Sequence, residues 1–346
     1  MKMLLSILFA LCLLSSFSQE NQSGFSSIDW KVRFMGVTSP DSLAKQLIVL
    51  GKTDREKVRA IFRWITEHID YNTKIFNRDR QMTEPCIIYG EPEDSSSVLK
   101  SLNERVAVKV LHRKIAFCDG YTRLFKTLCD YGGIPCEIIT GYARTGQERT
   151  GNRFGVNHTW NAVYLDNAWH LLDVTWASGF ISYSNEFTRY YDDFYFLTPP
   201  QQFIRDHYPE DLQWTLLPDP PTFREFNNSP FRYSAFIKSG IISYLPAKGI
   251  IEAAVGDTIR VELKIKTAAK NLFVVDAPLT DSSVMFLQPV AAAACENVSY
   301  IYTIAADTKD WLYVYYNDEI VMRYKLNLKK EKEAEADRLN RLSLNR

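Results

Sequence analysis

The stretch Phe117-Cys118-Asp119-Gly120-Tyr121-Thr122-Arg123-Leu124-Phe125 places a cysteine at the start of a segment whose apolar residues recur at helical spacing. We predict a helix from Cys118 to Tyr131, because Gly132-Gly133-Ile134-Pro135 is a typical helix end. The unpaired amide groups and the dipole at a helix N terminus favour an anion, so the thiolate form of Cys118 is stabilised there. A thiolate is the nucleophile that acyl transfer requires.

The other cysteines lie in different surroundings. Cys129 is on the apolar face of the same helix and Cys136 begins a strand-like run, so we expect both to be small buried hydrophobic residues. Removal of the N-terminal segment described below leaves an odd number of cysteines, which implies at least one free or intermolecularly paired thiol. The cysteines that remain are Cys86, Cys118, Cys129, Cys136 and Cys295. Their spacings are not those of a zinc site, so the sequence predicts neither a metal nor a cofactor.

Downstream of the helix the pattern changes to that of antiparallel strands. Strand-like runs cover Cys136–Tyr142, His158–Leu165 and Trp169–Val174, and Asp166-Asn167 joins the last two as a tight hairpin turn. A helix followed by an antiparallel meander is typical of an α+β fold.

Two residues of this hairpin are candidates to act with Cys118. His158 and Asp173 lie eight and seven residues from the turn at position 166, so pairing of the strands would make them cross-strand neighbours. Asp173 is a carboxylate among apolar residues, which is costly unless a partner meets it. We interpret Cys118 as nucleophile, His158 as base and Asp173 as the carboxylate that orients the imidazole. Asp119 beside Cys118 adds a negative charge, which would raise the pKa of the thiol.

Three spaced motifs resemble the transglutaminase-like superfamily. They are the stretch Cys118–Tyr142, the strand motif His158-Thr159-Trp160-Asn161 and the motif Leu172-Asp173-Val174-Thr175-Trp176. Within this superfamily, the chain resembles the branch that contains kyphoscoliosis peptidase and fungal cytokinesis proteins. The residues that carry this likeness are 59–65, 195–199, 207–209 and 214–217. The likeness covers residues 50–220.

The resemblance implies a papain-like core that attacks amide bonds of a protein or peptide substrate through a thioester on Cys118. Water as acyl acceptor would make the protein a protease or amidase, and an amine would make it a crosslinking transamidase. We favour hydrolysis, because transamidation needs a site that excludes water. The alternative from a different class is a non-catalytic scaffold or binding protein of the cytokinesis-protein type.

The N terminus has the features of a secretory signal. A short basic start precedes the apolar run Leu4–Leu14, and small residues lead to Ser18. The run is shorter than the about 20 residues that span a bilayer, so we expect cleavage after Ser18 and no transmembrane span. The mature protein would begin at Gln19 and be secreted, or reside in the periplasm or cell envelope.

The rest of the chain divides by composition. We predict a signal peptide over 1–18, a lead-in over 19–45, the catalytic domain over 46–220, a β-sandwich over 221–328 and a charged tail over 329–346. In the run Ile259–Ile265 apolar residues alternate with polar ones, the period of a half-buried strand. We expect an immunoglobulin-like, all-β sandwich, which would be the module for an envelope or protein partner.

Composition excludes one class of partner. Hydrophobic residues make up 46% of the chain and charged residues 24%, which fits a folded protein with a sizeable core. Lys plus Arg and Asp plus Glu number 41 each, and no basic stripe occurs. The sequence therefore gives no support for binding to nucleic acid.

Overall fold

The computed structural model describes residues 24–36, 39–73, 100–144, 155–182, 184–265, 272–275 and 297–329. The predicted signal peptide, Cys86, Cys295 and nearly all of the predicted charged tail lie outside these residues. Chain contacts separate two units. The first takes in the described residues up to 141 together with 156–203 and 209–216, and the second takes in the remaining described residues.

Helices predominate in the N-terminal part of the chain and strands in the C-terminal part. The helices are α1 (Ser26–Val32), α2 (Pro40–Ile48), α3 (Asp54–His68), α4 (Leu102–Arg113), α5 (Cys118–Tyr131), α6 (Val174–Ser178), α7 (Pro200–Phe203), α8 (Phe223–Asn228) and α9 (Ser234–Lys238). The strands are β1 (Asp70–Tyr71), β2 (Ile115–Ala116), β3 (Cys136–Ala143), β4 (His158–Leu165), β5 (Ala168–Leu172), β6 (Gly179–Ile181), β7 (Phe187–Arg189), β8 (His207–Pro209), β9 (Phe231–Arg232), β10 (Ile241–Leu245), β11 (Ile250–Ala253), β12 (Thr258–Ile265), β13 (Leu272–Val275), β14 (Asn297–Thr303), β15 (Trp311–Tyr316) and β16 (Glu319–Leu328).

The first unit begins with helices packed on one another. The stretch that we predicted as a lead-in contributes α1 and part of α2, whose Val32, Leu43 and Leu47 are fully buried. Helix α3 begins with a capping box between Thr53 and Glu56, as its sequence pattern indicates. The guanidinium of Arg59 in α3 donates to both carboxylate oxygens of Asp29 in α1, at 2.8 and 2.7 Å, and so ties these two helices together.

Helix α5 has the bounds that the sequence predicts. Its N-cap residue Phe117 has an extended backbone, and the phenylalanine side chain does not accept a hydrogen bond from the amide groups of the first turn. Its buried face includes Tyr121, Leu124 and Leu128, all fully inaccessible to solvent. The helix ends at Tyr131 and Gly132 follows it as the C-cap residue. Burial of this face against the core fixes the position of Cys118 at the start of the helix.

The antiparallel hairpin that follows is confirmed, with one correction. Strand β4 pairs with β3 on one side and with β5 on the other. Asp166 and Asn167 have φ values of 51° and 62°, the left-handed conformation of a two-residue hairpin turn. The predicted strand over Trp169–Val174 was too long, because the chain leaves the strand after Leu172 and Asp173 caps helix α6.

Gly120 lies in a tight contact that a side chain would disturb. A Cβ at this position would lie 2.7 Å from Cβ of Ala116 and 3.0 Å from Cγ2 of Val110. We expect Gly120→Ala to lower the free energy of unfolding by about 1–3 kcal/mol through overpacking. In an open helical position the same change would instead add about 1 kcal/mol.

Urea denaturation measures this change, and a double variant supplies its control. Ala116→Gly removes the nearer of the two atoms, so adding it to Gly120→Ala should recover part of the lost stability. A Gly120→Ala variant that is as stable as the parent, or more stable, would contradict the expected clash.

The second unit ends in two β-sheets around one core, as we predicted for an all-β C-terminal region. One sheet has the strand order β10-β12-β14, and the other has the order β11-β16-β15-β13 with β9 paired to β16. Along β12 the residues Ile259, Val261, Leu263 and Ile265 are buried and alternate with more exposed polar residues. They share a hydrophobic core with residues of β15 and β16.

Across the part of the chain that the structure describes, every helix is too short or too polar to span a bilayer.

Candidate active site

A short pair of parallel strands positions Cys118. Strand β2 immediately precedes Phe117 and pairs with β1, which lies 45 residues earlier in the chain. The amide of Asn72 donates to the carbonyl of Ala116 at 2.9 Å and extends this pairing towards the cysteine. The side chain of Cys118 is partly exposed at the first position of α5, as expected of a nucleophile that must meet a substrate.

The charge of Asp119 is compensated within its own helix. Both oxygens of its carboxylate accept hydrogen bonds from Nε of Arg123, at 2.9 Å each. Asn103 of α4 accepts from the same guanidinium at 2.6 Å and fixes it in place. The negative charge that we expected to raise the pKa of the Cys118 thiol is therefore paired one turn along the helix.

His158 and Asp173 form a buried pair. Nε2 of His158 lies 2.7 Å from Oδ2 of Asp173, and the aspartate side chain is fully buried. Its other oxygen accepts from the amide groups of Thr175 and Trp176, at 2.8 and 3.0 Å. Three donors thus satisfy a carboxylate that would be costly to bury alone. Nδ1 is the imidazole nitrogen that this arrangement leaves for Cys118.

His158 and Asp173 are in contact as predicted, but they are not neighbours across two paired strands. Asn161 pairs with Leu172 in the β4–β5 ladder, so the position opposite Asp173 is Trp160 and not His158. Asp173 reaches His158 from the N-terminal end of α6, where its backbone has already left the strand. The predicted partner of His158 is therefore correct, but the element that positions it is the start of α6 and not strand β5.

An aromatic side chain covers the imidazole. The ring of Trp176 lies 5.5 Å from the ring of His158 at an interplanar angle of 35°, and Tyr195 packs edge-on against Trp176. The main-chain amide of Trp176 also donates to the Asp173 carboxylate. One residue therefore contacts Asp173 through its backbone and His158 through its side chain.

The pair lowers the pKa of the Cys118 thiol. Burial is the largest single influence and would raise this pKa, but the hydrogen bond and charge of His158, together with a smaller influence of Thr159, leave the pKa lowered. Burial likewise opposes the charge on His158, yet the charge and hydrogen bond of Asp173, with those of Cys118, raise the pKa of His158 to about 10. Both shifts favour a thiolate next to an imidazolium over the neutral pair.

The other two cysteines in the described part of the chain have the environment that we predicted. Cys129 is fully buried and Cys136 is nearly so. Burial, and to a smaller extent the neighbouring Cys136, raise the pKa of the Cys129 thiol well above its ordinary value. A high pKa and a lack of solvent access both slow alkylation.

We therefore expect iodoacetamide to modify Cys118 in the folded protein and to leave Cys129 and Cys136 unmodified. Peptide mapping by mass spectrometry after brief treatment at neutral pH measures this. Denaturation before treatment is the control, because it should make all three thiols react. Modification of Cys129 in the folded protein at a rate near that of Cys118 would contradict the assignment.

Comparison with known proteins identifies the fold of this site. Residues 41–174 match the model of the transglutaminase-like superfamily. The chain is 34% identical to human kyphoscoliosis peptidase (Homo sapiens) over 237 residues, which are 67% of this chain and 32% of that protein. It is 26% identical to cytokinesis protein 3 of Schizosaccharomyces pombe over 205 residues, which are 56% of this chain and 20% of that protein.

A solved structure is also similar. The crystal structure of a TGase aligns with 54% of this chain and 41% of its own, at 20% identity and a TM-score of 0.28. The chain spans about a third of the length of the kyphoscoliosis peptidases that it matches. Through residues 41–174, which contain Cys118, His158 and Asp173, the chain belongs to the transglutaminase-like superfamily, in the branch that includes kyphoscoliosis peptidase.

Proposed function

We propose that the protein is an exported cysteine hydrolase, a protease or amidase, that cleaves amide bonds through Cys118, His158 and Asp173. One observation carries the proposal: a thiol at a helix N terminus has its pKa lowered by an imidazole, and a fully buried carboxylate holds that imidazole at 2.7 Å. A cysteine that only fills the core has its pKa raised by burial, as Cys129 does.

The proposed reaction has two halves. The Cys118 thiolate attacks the amide carbonyl carbon, and the backbone amide of Cys118 donates a hydrogen bond to the developing oxyanion. The imidazolium of His158 gives its proton to the leaving amine as the carbon–nitrogen bond breaks, and a thioester remains on Cys118. His158 then removes a proton from water, which attacks the thioester and releases a carboxylic acid and the thiolate. Asp173 holds the ring and stabilises its positive charge in both halves.

Hydrolysis is favoured over crosslinking by the exposure of the nucleophile. Cys118 is partly accessible to solvent, so water can reach a thioester formed on it. A transamidase must keep water away until an amine arrives. The substrate class that we propose is a polypeptide, because the chemistry requires an amide carbonyl.

The test combines labelling with turnover. A fluorescent casein derivative, with and without a fluorescent primary amine, is incubated with the full chain and with Cys118→Ser. Release of casein fragments by the parent but not by the variant supports hydrolysis, and incorporation of the amine into casein supports transamidation. If Cys118 alkylates as slowly as an ordinary thiol and neither product forms, the scaffold interpretation replaces the enzyme.

Export is a separate part of the proposal. It rests on the apolar run Leu4–Leu14 and the small residues before Gln19. N-terminal sequencing of the protein from its native host tests it, with Gln19 as the expected first residue. A cytoplasmic protein that retains Met1 would overturn export and leave the catalytic proposal untouched.

A further inference from the structure

Asn161 is a fully buried polar residue of β4 that the proposed reaction does not use. Its Nδ2 donates to the carbonyl of Thr122 in α5 and to the carbonyl of Glu137 in β3, at 3.2 Å each. These two main-chain carbonyls take up both hydrogens of the amide nitrogen. Sγ of Cys136, at the start of β3, lies 3.7 Å from the same nitrogen. Asn161 therefore joins β4 to α5 and to β3 through one nitrogen atom.

The oxygen of the same side chain has a different environment. Among the described residues, none donates a hydrogen bond to Oδ1 of Asn161, which is buried. The reverse orientation of the amide would place this oxygen against two carbonyl oxygens, so the nitrogen must face them. A buried acceptor without a donor destabilises the folded protein. The amide therefore carries a cost, which is offset by its two contacts to main-chain carbonyls.

The Thr122 contact lies close to the catalytic ends of both elements. Cys118 is the first residue of α5, and Thr122 is about one helical turn beyond it. His158 is the first residue of β4, three residues before Asn161. The hydrogen bond from Asn161 to Thr122 thus connects the helix that carries the proposed nucleophile to the strand that carries the proposed base.

A hydrogen bond restricts the position of α5 on β4 in a way that apolar packing does not. The buried face of α5 consists mainly of apolar side chains such as Leu124 and Leu128, whose contacts have no preferred direction. A slip of α5 by one residue would move it about 1.5 Å along its axis. An amide–carbonyl hydrogen bond needs a heavy-atom distance of about 2.7–3.2 Å and weakens steeply as its angle bends. The Asn161 contact is therefore sensitive to displacements that apolar contacts tolerate.

We propose that Asn161 is a positioning residue, which sets the register of α5 against β4 and thereby the distance between Cys118 and His158. Asn161 is fully buried, so it acts through the helix and not on the substrate. This inference rests on the proposed function and adds to it a residue outside the triad. A displacement of about 1 Å between reacting groups can cost on the order of 10²-fold in rate, so a change of register should be visible in turnover.

The experiment measures Cys118 alkylation by iodoacetamide against pH, and cleavage of fluorescent casein, in the full chain. Asn161→Ala removes both hydrogen bonds. The alkylation midpoint should rise by about half a pH unit or more, because the imidazolium no longer lies at its best distance from the thiolate. The turnover number should fall by about 10–10²-fold with KM unchanged.

Val163→Ala is the matched control. Val163 is also fully buried, and it lies two residues beyond Asn161 on the same face of β4. Its truncation should lower the thermal unfolding temperature without moving the alkylation midpoint or the turnover number. Neither alanine variant alters a charged group, since Asp119 keeps its ion pair with Arg123 and His158 keeps Asp173.

Comparison of the two alanine variants separates positioning from loss of stability. If Val163→Ala shifts the midpoint as far as Asn161→Ala does, a general loosening of β4 explains both and the inference fails. A parent-like midpoint and turnover number in Asn161→Ala also overturn it. Where Asn161→Ala does not fold, Asn161→Leu keeps a branched side chain without the hydrogens and should shift both quantities in the same direction. The first two results leave the proposed function standing, whereas a parent midpoint near the free-thiol value of about 8.5 without casein cleavage overturns both.

Discussion

Replacing His158 by alanine is expected to abolish measurable turnover and to raise the pKa of the Cys118 thiol above its ordinary value. Burial pushes this pKa upward, and His158 is the main group that outweighs burial. Without the imidazole, the desolvated thiol remains protonated at neutral pH. The variant also lacks the acid that protonates the leaving amine, so turnover should fall by on the order of 10³–10⁴-fold or more.

The measurement is the pH dependence of turnover and of Cys118 alkylation, made on the same preparations. In the parent, turnover needs a thiolate and an imidazolium together. It should therefore rise as pH passes the lowered pKa of Cys118 and fall as pH passes the raised pKa of His158, about 10. In His158→Ala no turnover should be measurable at any pH, and the alkylation midpoint should move upward.

His112 offers a matched control. It is an exposed histidine in α4, six residues before Cys118 in the sequence. His112→Ala should leave both the turnover profile and the alkylation midpoint unchanged. An effect of His112→Ala equal to that of His158→Ala, or an unchanged midpoint in His158→Ala, would show that the triad assignment is wrong.

Stability should follow the same titration. Because the folded pKa of His158 lies above its ordinary value of 6.5, protonation of this group stabilises the folded protein. The contribution is complete below about pH 6.5 and is lost as pH rises through the folded value. His158→Ala should remove this contribution to the pH dependence of unfolding.

Much of the site could be predicted because its parts have local signals. Helix α5 was predicted from Cys118 to Tyr131, since the apolar spacing and the Gly-Gly-Ile-Pro ending are read within one segment. The two-residue turn at Asp166 is equally local. The C-terminal sheets followed from alternation along β12. Each of these signals needs only neighbouring residues to be interpreted.

The parts that were missed depend on competition between local structures. Asp173 continues an alternating pattern, yet its carboxylate takes up two amide groups and begins a helix. The ion pair of Asp119 with Arg123 has the i, i+4 spacing of a helical pair, a visible signal that was not used. The β1–β2 pair could not be read from the sequence, because its register joins residues 45 positions apart.

The face of β4 that packs on α5 shows why contacts between elements are harder to predict than the triad itself. Successive residues of β4 point to opposite faces of the sheet, so Asn161 lies on the face opposite His158. On that opposite face, Nδ2 of Asn161 donates to the carbonyl of Thr122 in α5 and to the carbonyl of Glu137 in β3, at 3.2 Å each. Because the side-chain amide of Asn161 joins β4, α5 and β3, no single segment of the sequence predicts this contact.

Replacing Asp173 by asparagine is expected to reduce turnover by about 10²–10⁴-fold while leaving Cys118 partly reactive. Asparagine keeps one oxygen, which can still accept from the amide groups of Thr175 and Trp176 and preserve the start of α6. Its amide nitrogen must then face Nε2 of His158 and donate to it. This arrangement places the imidazole proton on Nδ1 and removes the charge that raises the pKa of His158, so the thiolate–imidazolium pair is lost near neutral pH.

Asp173→Asn should therefore differ from His158→Ala in the size of its effects. The falling limb of turnover should move to lower pH, because the His158 pKa drops when the aspartate charge is removed. The alkylation midpoint of Cys118 should rise, but by less than in His158→Ala, since a neutral imidazole still contacts the thiol. Asp166→Asn, in the exposed hairpin turn, is the matched control and should change neither quantity. If Asp173→Asn keeps the parent limbs and the parent rate, the carboxylate serves only to cap α6, and His158 works without an orienting partner.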